Sequence, residues 1–235
     1  MSVEQLVPYI DWLYFYWAWR VKEDSDEGRL LRKDAEQMLA DIAKNTDFGV
    51  NVLQTFYHAR NVEGTGIEFR LNEASCHCCN QCVTLSTPRQ NSCRADGSQR
   101  TSPLSLCDFV PATDGQVGAF ACTVSPAFVN RLEQLKADRS DDYAMLLMHT
   151  LGDRLVEAAA TRMSHLLDEQ YQWRGIRPAV GYPSLPDQRA IFQLSRLLDF
   201  DSIGIKLTEN GAMYPQSSVC GLLISHPLAR YFSIE

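Results

Sequence analysis

Apolar residues return at every fourth position through Tyr143, Leu147, Leu151, Leu155, Ala159 and Met163. That period predicts a long helix from about residue 140 to 171 with one buried stripe. Residues 25–44 carry Leu31, Ala35, Met38, Leu39 and Ile42 on one side and read as a second amphipathic helix. Between these stretches the pattern changes. Residues 51–58, 66–71 and 116–124 read as strands, the last so rich in small residues that other backbone can pack closely on it. Pro186 is placed at the first position of a further helix that turns Ile191, Leu194 and Leu197 inward. Residues 203–207, 219–225 and 230–234 read as closing strands. Residues 12–19 are crowded with Trp, Tyr and Phe, most of which are expected in the core or an interface. Helices mix with clusters of strands without strict alternation, so the expected class is α+β with a mainly antiparallel sheet.

The segment from Asn72 to Ser105 has little periodicity and much Ser, Asn, Gln and Cys, and is expected to be one long loop. It carries Cys76, Cys78, Cys79 and Cys82 within seven residues, with His77 among them. Thiolates so close together are candidate ligands for zinc or an iron–sulfur cluster. They lack the two separated knuckles of a structural zinc site, and a cysteine-rich surface loop without metal is the favoured reading. A secreted disulfide framework is not expected, because the apolar residues 13–19 follow Glu4 and Asp11, lack a basic leading region and show no small-residue cleavage site. No run is long enough to span a bilayer, so the expected location is cytoplasmic. A net charge of −7 argues against nucleic acid and against anionic lipid as partners.

Candidate chemistry concentrates in residues 174–186, where two arginines, two glycines and three prolines are poor material for a regular helix or strand. Proline fixes φ and glycine lets backbone approach a ligand, so the stretch should be a stiff presenting loop. Arg177 is its forked cation, suited to a carboxylate. There is no G-x-G-x-x-G after a strand, no P-loop, no nucleophile elbow and no H-E-x-x-H. D-x-H-x-x-G is absent as well, so nothing suggests that this chain holds cobalamin by itself.

Arg177-Pro178-Ala179-Val180-Gly181-Tyr182 resembles the R-P-A-x-G-Y loop of the activation domain of cobalamin-dependent methionine synthase. The resemblance continues in family order. It begins with Tyr9-Ile10-Asp11-Trp12, then Asp108-Phe109-Val110, Gly118-Ala119-Phe120-Ala121 and Asp141-Asp142-Tyr143. The run Asp153 to Ala158 follows, then Lys206 to Glu209, Ala212 to Pro215, Ser225-His226-Pro227 and Tyr231-Phe232. It implies a single C-shaped α+β domain over residues 1–235, with a twisted, mainly antiparallel sheet flanked by helices. It also implies a ligand, S-adenosylmethionine, and a task, the reductive methylation of cob(II)alamin to methylcobalamin within methionine biosynthesis.

The implied site set is Asp11, Glu157, Arg177, Ala179, Gly181, Tyr182, Tyr231 and Phe232. Arg177 would take the ligand carboxylate and Asp11 its amino group, while Ala179 and Gly181 would offer backbone. Each residue has a plainer reading: Asp11 as a helix N-cap, Glu157 as a solvated surface acid, Tyr182, Tyr231 and Phe232 as core aromatics, His226 as a turn residue. No acid, base or nucleophile is required of the chain, since the corrinoid cobalt is the nucleophile. The implied partners are a cobalamin-binding module and a flavodoxin-type electron donor. The chain carries no homocysteine, folate or cobalamin module, so it reads as a stand-alone subunit or an excised fragment. The alternatives are a module that senses S-adenosylmethionine or docks a corrinoid protein without turnover, and a reactivator of a different corrinoid methyltransferase.

Overall fold

A computed structural model of the protein describes residues 1–71, 82–90, 103–138 and 141–234. The chain enters through a short helix α1 (Val3–Leu6), helix α2 (Trp12–Trp19) and helix α3 (Asp26–Ala43). Strands β1 (Val50–Val62), β2 (Gly66–Arg70), β3 (Cys82–Ser86) and β4 (Gly115–Val124) follow. Next come helix α4 (Pro126–Ala137), the 30-residue helix α5 (Asp142–Tyr171), strand β5 (Gly175–Ile176) and helix α6 (Ala190–Leu197). A small hairpin of β6 (Lys206–Leu207) and β7 (Met213–Tyr214) precedes the last strand, β8 (Ser218–Ser225). Among the described residues the main sheet has six strands in the order β3-β2-β1-β4-β8-β5, every neighbouring pair antiparallel. The α+β class with an antiparallel sheet is therefore the observed one.

Alternation along β4 explains the two cores. Phe120, Cys122 and Val124 face one side, where α5 brings Leu147, Leu151, Leu155, Ala159 and Met163 against the sheet. Val117, Ala119 and Ala121 face the other side, where α6 supplies Ile191 and Leu194. Period two on the strand and period near four on the helix thus build opposite faces from one sequence logic. Each fully buried Leu of the α5 stripe contributes about 1.5–3 kcal/mol by leaving water. Gly118 is required for space: a Cβ there would sit 2.9 Å from both Leu223 and Phe56.

Five expectations need correction. Tyr143 does not belong to the buried stripe: it is 43% exposed and its hydroxyl donates to Asp34 at 2.7 Å. The 72–105 segment is not a loop throughout, because β3 pairs with β2 and buries Val83 and Leu85 from alternate positions. Helix α6 begins at Ala190 rather than near Pro186, since Leu185 is still bound into a tight turn, donating to Tyr182 and accepting from Gly181. Residues 230–234 form no strand. Beyond β8 the place at the sheet edge is taken by β5, and the terminal segment attaches by single hydrogen bonds instead. Of residues 203–207, only Lys206 and Leu207 are in a strand, and that strand lies in the small hairpin outside the main sheet. The pattern also left α4 unread, although Ser125-Pro126 opens it and Phe128 anchors it fully buried.

Cys76, Cys78 and Cys79 lie outside the described residues, while Cys82 is exposed at the start of β3. No group of three or more metal-binding side chains occurs among the described residues. Within the same residues no helix is long and apolar enough to cross a membrane.

Candidate functional site

Residues 175–185 run beside β8 as an irregular continuation of its edge. Gly175 and Ile176 pair with Ser225 and Ile224. Further along, Leu222 N–H donates to Pro178 O at 3.0 Å, and Val180 N–H donates to Cys220 O at 3.0 Å. This approach needs Gly221: a Cβ there would lie 2.2 Å from Pro178 O and 2.7 Å from the Cα of Ala179. Gly181, at φ +85°, then reverses the chain in a conformation that favours glycine. The turn closes by Gly181 N–H to Leu185 O at 2.9 Å and Leu185 N–H to Tyr182 O at 2.9 Å.

The terminal segment is fastened onto this loop through hydroxyls. Ser184 donates its hydroxyl to Phe232 O at 2.6 Å and accepts from Phe232 N–H at 3.2 Å. Ile234 N–H donates to Pro183 O at 3.1 Å, and Arg177 N–H donates to the Tyr231 hydroxyl at 2.8 Å. Between loop, terminal segment and α5 lies a cavity of about 400 Å³ lined by Glu157, Arg177, Pro178, Ala179, Tyr182, Pro183, Ser184, Tyr231 and Phe232. Its size falls in the range of small-molecule sites.

One cation and one anion face each other in it. Arg177 Nη1 stands 3.8 Å from Glu157 Oε2, close enough for attraction but too far for a hydrogen bond. The arginine side chain is only 18% exposed, and its Nη2 donates to Thr161 Oγ1 at 3.1 Å. The other oxygen of Glu157 accepts the Tyr182 hydroxyl at 2.5 Å. Burial, and then the charge of Glu157, raises the Tyr182 phenol above its ordinary value, so it stays a proton donor. On the neighbouring strand, burial pushes the Cys122 thiol up to about 12, with the Arg177 charge opposing, so it remains a neutral thiol.

Matches to known proteins give this cavity a context. Residues 2–235 match the family model described as vitamin B12 dependent methionine synthase, activation domain. The chain belongs to this activation-domain family. A crystal structure of the MetH reactivation domain bound to AdoHcy superimposes with a TM-score of 0.83 at 28% identity, covering 100% of this chain and 79% of that one.

Of the residues that the activation-domain resemblance singled out, the fold brings six into the cavity lining: Glu157, Arg177, Ala179, Tyr182, Tyr231 and Phe232. Two lie elsewhere. Asp11 is exposed and caps α2, its carboxylate accepting from Leu13 N–H at 3.0 Å. Gly181 shapes the turn behind the lining, with its N–H spent on Leu185. Pro178, Pro183 and Ser184 line the cavity without having been marked as site residues, because a proline or serine in a loop carries no chemical signature. Thr161, which touches the guanidinium, was also missed. Its one signal was its place four residues after Glu157, on the same helical face. His226 is a turn residue, its Nδ1 accepting from Leu228 N–H at 3.1 Å.

Proposed function

We propose that the cavity beside residues 177–184 binds S-adenosylmethionine and presents its sulfonium methyl group to a cobalamin carried by another module. The observation that carries this reading is the juxtaposed pair of Arg177 and Glu157, 3.8 Å apart at the wall of one cavity. A ligand with an amino-acid end offers a carboxylate to a guanidinium and an ammonium to a carboxylate, and the pair offers both complements side by side. AdoHcy, bound by the MetH reactivation domain, is what S-adenosylmethionine becomes after giving up that methyl. In this assignment Arg177 takes the ligand carboxylate, Glu157 faces the ammonium, and Tyr182, held by Glu157, walls the open side. Ala179, Tyr231 and Phe232 shape the remainder. Gly181 provides the turn, and Asp11 joins the set through the family resemblance alone.

The corrinoid, with one electron from a flavodoxin-type donor, supplies the chemistry that converts cob(II)alamin to methylcobalamin. The chain's own residues hold the sulfonium, orient its methyl and exclude water, which is a task of proximity rather than acid–base catalysis. The test is transfer of a labelled methyl group from S-adenosylmethionine to a separately prepared cobalamin module under reduction. Label in methylcobalamin that depends on this chain supports the reading. Saturable binding without any transfer would instead make the chain a sensing or docking module.

A further inference from the structure

We infer that Thr161 is a positioning residue for Arg177, a role framed by the ligand assignment just given. Glu157 and Thr161 are four residues apart on α5 and share a face. The Thr161 hydroxyl donates to the Glu157 carbonyl at 3.0 Å. Its single proton is thereby committed to the backbone, and its oxygen is left as an acceptor. Arg177 Nη2 donates to that oxygen at 3.1 Å. At the other end of the same residue, the Arg177 backbone N–H is held by the Tyr231 hydroxyl. Two neutral hydroxyls thus fix both ends of the arginine, while the charged Glu157 stays outside hydrogen-bond distance.

The choice of partner matters. A carboxylate at Thr161's place would neutralise the guanidinium and compete with an incoming carboxylate. A hydroxyl oxygen orients the fork without adding a second negative charge, and leaves the other guanidinium N–H donors free. One helical turn therefore serves both ends of the amino-acid group: Glu157 as the anion, and Thr161 as the fixture that aims the cation.

The experiment compares wild type with Thr161→Val, which keeps the shape and removes the acceptor, and with Thr161→Ser, which restores it. Titration with S-adenosylmethionine is expected to weaken about tenfold in Thr161→Val and to return close to wild type in Thr161→Ser. Methylthioadenosine, which keeps the adenosine but has no carboxylate, is expected to bind all three proteins equally. A merely structural threonine would weaken both ligands together, and that result overturns the role. So does a Thr161→Val protein that binds S-adenosylmethionine as wild type does.

A second readout needs no ligand. The side-chain nitrogen resonances of Arg177, assigned by their loss in Arg177→Lys, should show restricted rotation in wild type and averaging in Thr161→Val. Identical rotation in both overturns the positioning role directly. A wild type that fails to bind S-adenosylmethionine while showing the expected difference in rotation overturns the ligand assignment and leaves the contact standing.

Discussion

Arg89 and Arg177 each face a carboxylate from a loop, and the two contacts are built differently. Arg89 is saturated. Its Nη1 and Nη2 donate to both oxygens of Asp108 at 2.7 Å, and also to Pro103 O at 2.8 Å and Gly64 O at 3.0 Å. Asp108 in turn accepts from Ser105 N–H. This arginine ties three pieces of chain together and has little left to offer a ligand. Arg177, less exposed than Arg89, makes one side-chain hydrogen bond among the described residues, to a neutral hydroxyl, and keeps its acidic neighbour at 3.8 Å. A mostly buried guanidinium with unspent donors at a cavity wall is poor architecture for stability alone and good architecture for capturing a carboxylate. Each arginine lies beside an acid, and the distances separate a saturated contact from one that leaves donors free for the proposed ligand.

The largest effect is expected where the backbone itself must yield. Gly221→Val would drive a side chain into Pro178 O and the Cα of Ala179, so the binding loop must leave β8. A loss of about 3 kcal/mol of stability is expected, together with ligand binding, checked by denaturant unfolding and titration. A Gly221→Val protein with normal stability and binding would mean that the loop is not held by that close approach.

Next in size is the Arg89 contact, and here the difference between the arginines can be read by pH. The Arg89 hydrogen bonds hold the Asp108 carboxyl below its usual range, with burial opposing. A depressed folded value gives stability that is fully present above the unfolded carboxylate pKa, about 3.9, and is lost as pH falls through the folded value. Arg89→Ala should therefore be less stable than wild type by about 1 kcal/mol at neutral pH, a modest figure because the pair is partly exposed. The gap should close in acid below that range. Thermal unfolding across pH checks this, and a gap that persists unchanged at low pH would mean that the pair is not its source. The smallest effect is expected from Tyr231→Phe. It removes the acceptor of the Arg177 N–H at a site that water can partly serve, and should weaken ligand binding only about two- to threefold.

The longest helices were legible in the sequence, and the short strand β3 was not. Leu147, Leu151 and Leu155 announced α5 because a long helix repeats its signal over many turns. Leu31, Ala35 and Leu39 announced α3 for the same reason. β3 was missed because Val83 and Leu85 give only two apolar beats inside a polar, cysteine-rich stretch, too few for a period to emerge. The terminal segment was misread because Tyr231 and Phe232 look like strand residues, whereas Ser184 and Pro183 hold them through hydrogen bonds that no local pattern encodes. At the site, the loop motif pointed to Arg177 and Tyr182, and the fold supplied their partner. Glu157 looked like a surface acid until the loop after α5 folded back and placed Tyr182 and Arg177 against it. Asp11 shows the reverse: its motif suggests a ligand, and its carboxylate caps a helix.

The most direct test is a calorimetric titration with S-adenosylmethionine of wild type, Arg177→Ala and Arg89→Ala, each with its unfolding midpoint measured in parallel. Saturable binding by wild type is expected, weakened tenfold or more in Arg177→Ala, about 1.4 kcal/mol, with the fold intact. Arg89→Ala should bind normally and unfold earlier. Equal binding by wild type and Arg177→Ala, or loss of binding in a folded Arg89→Ala, would contradict the division of labour between the two arginines and the site built on it.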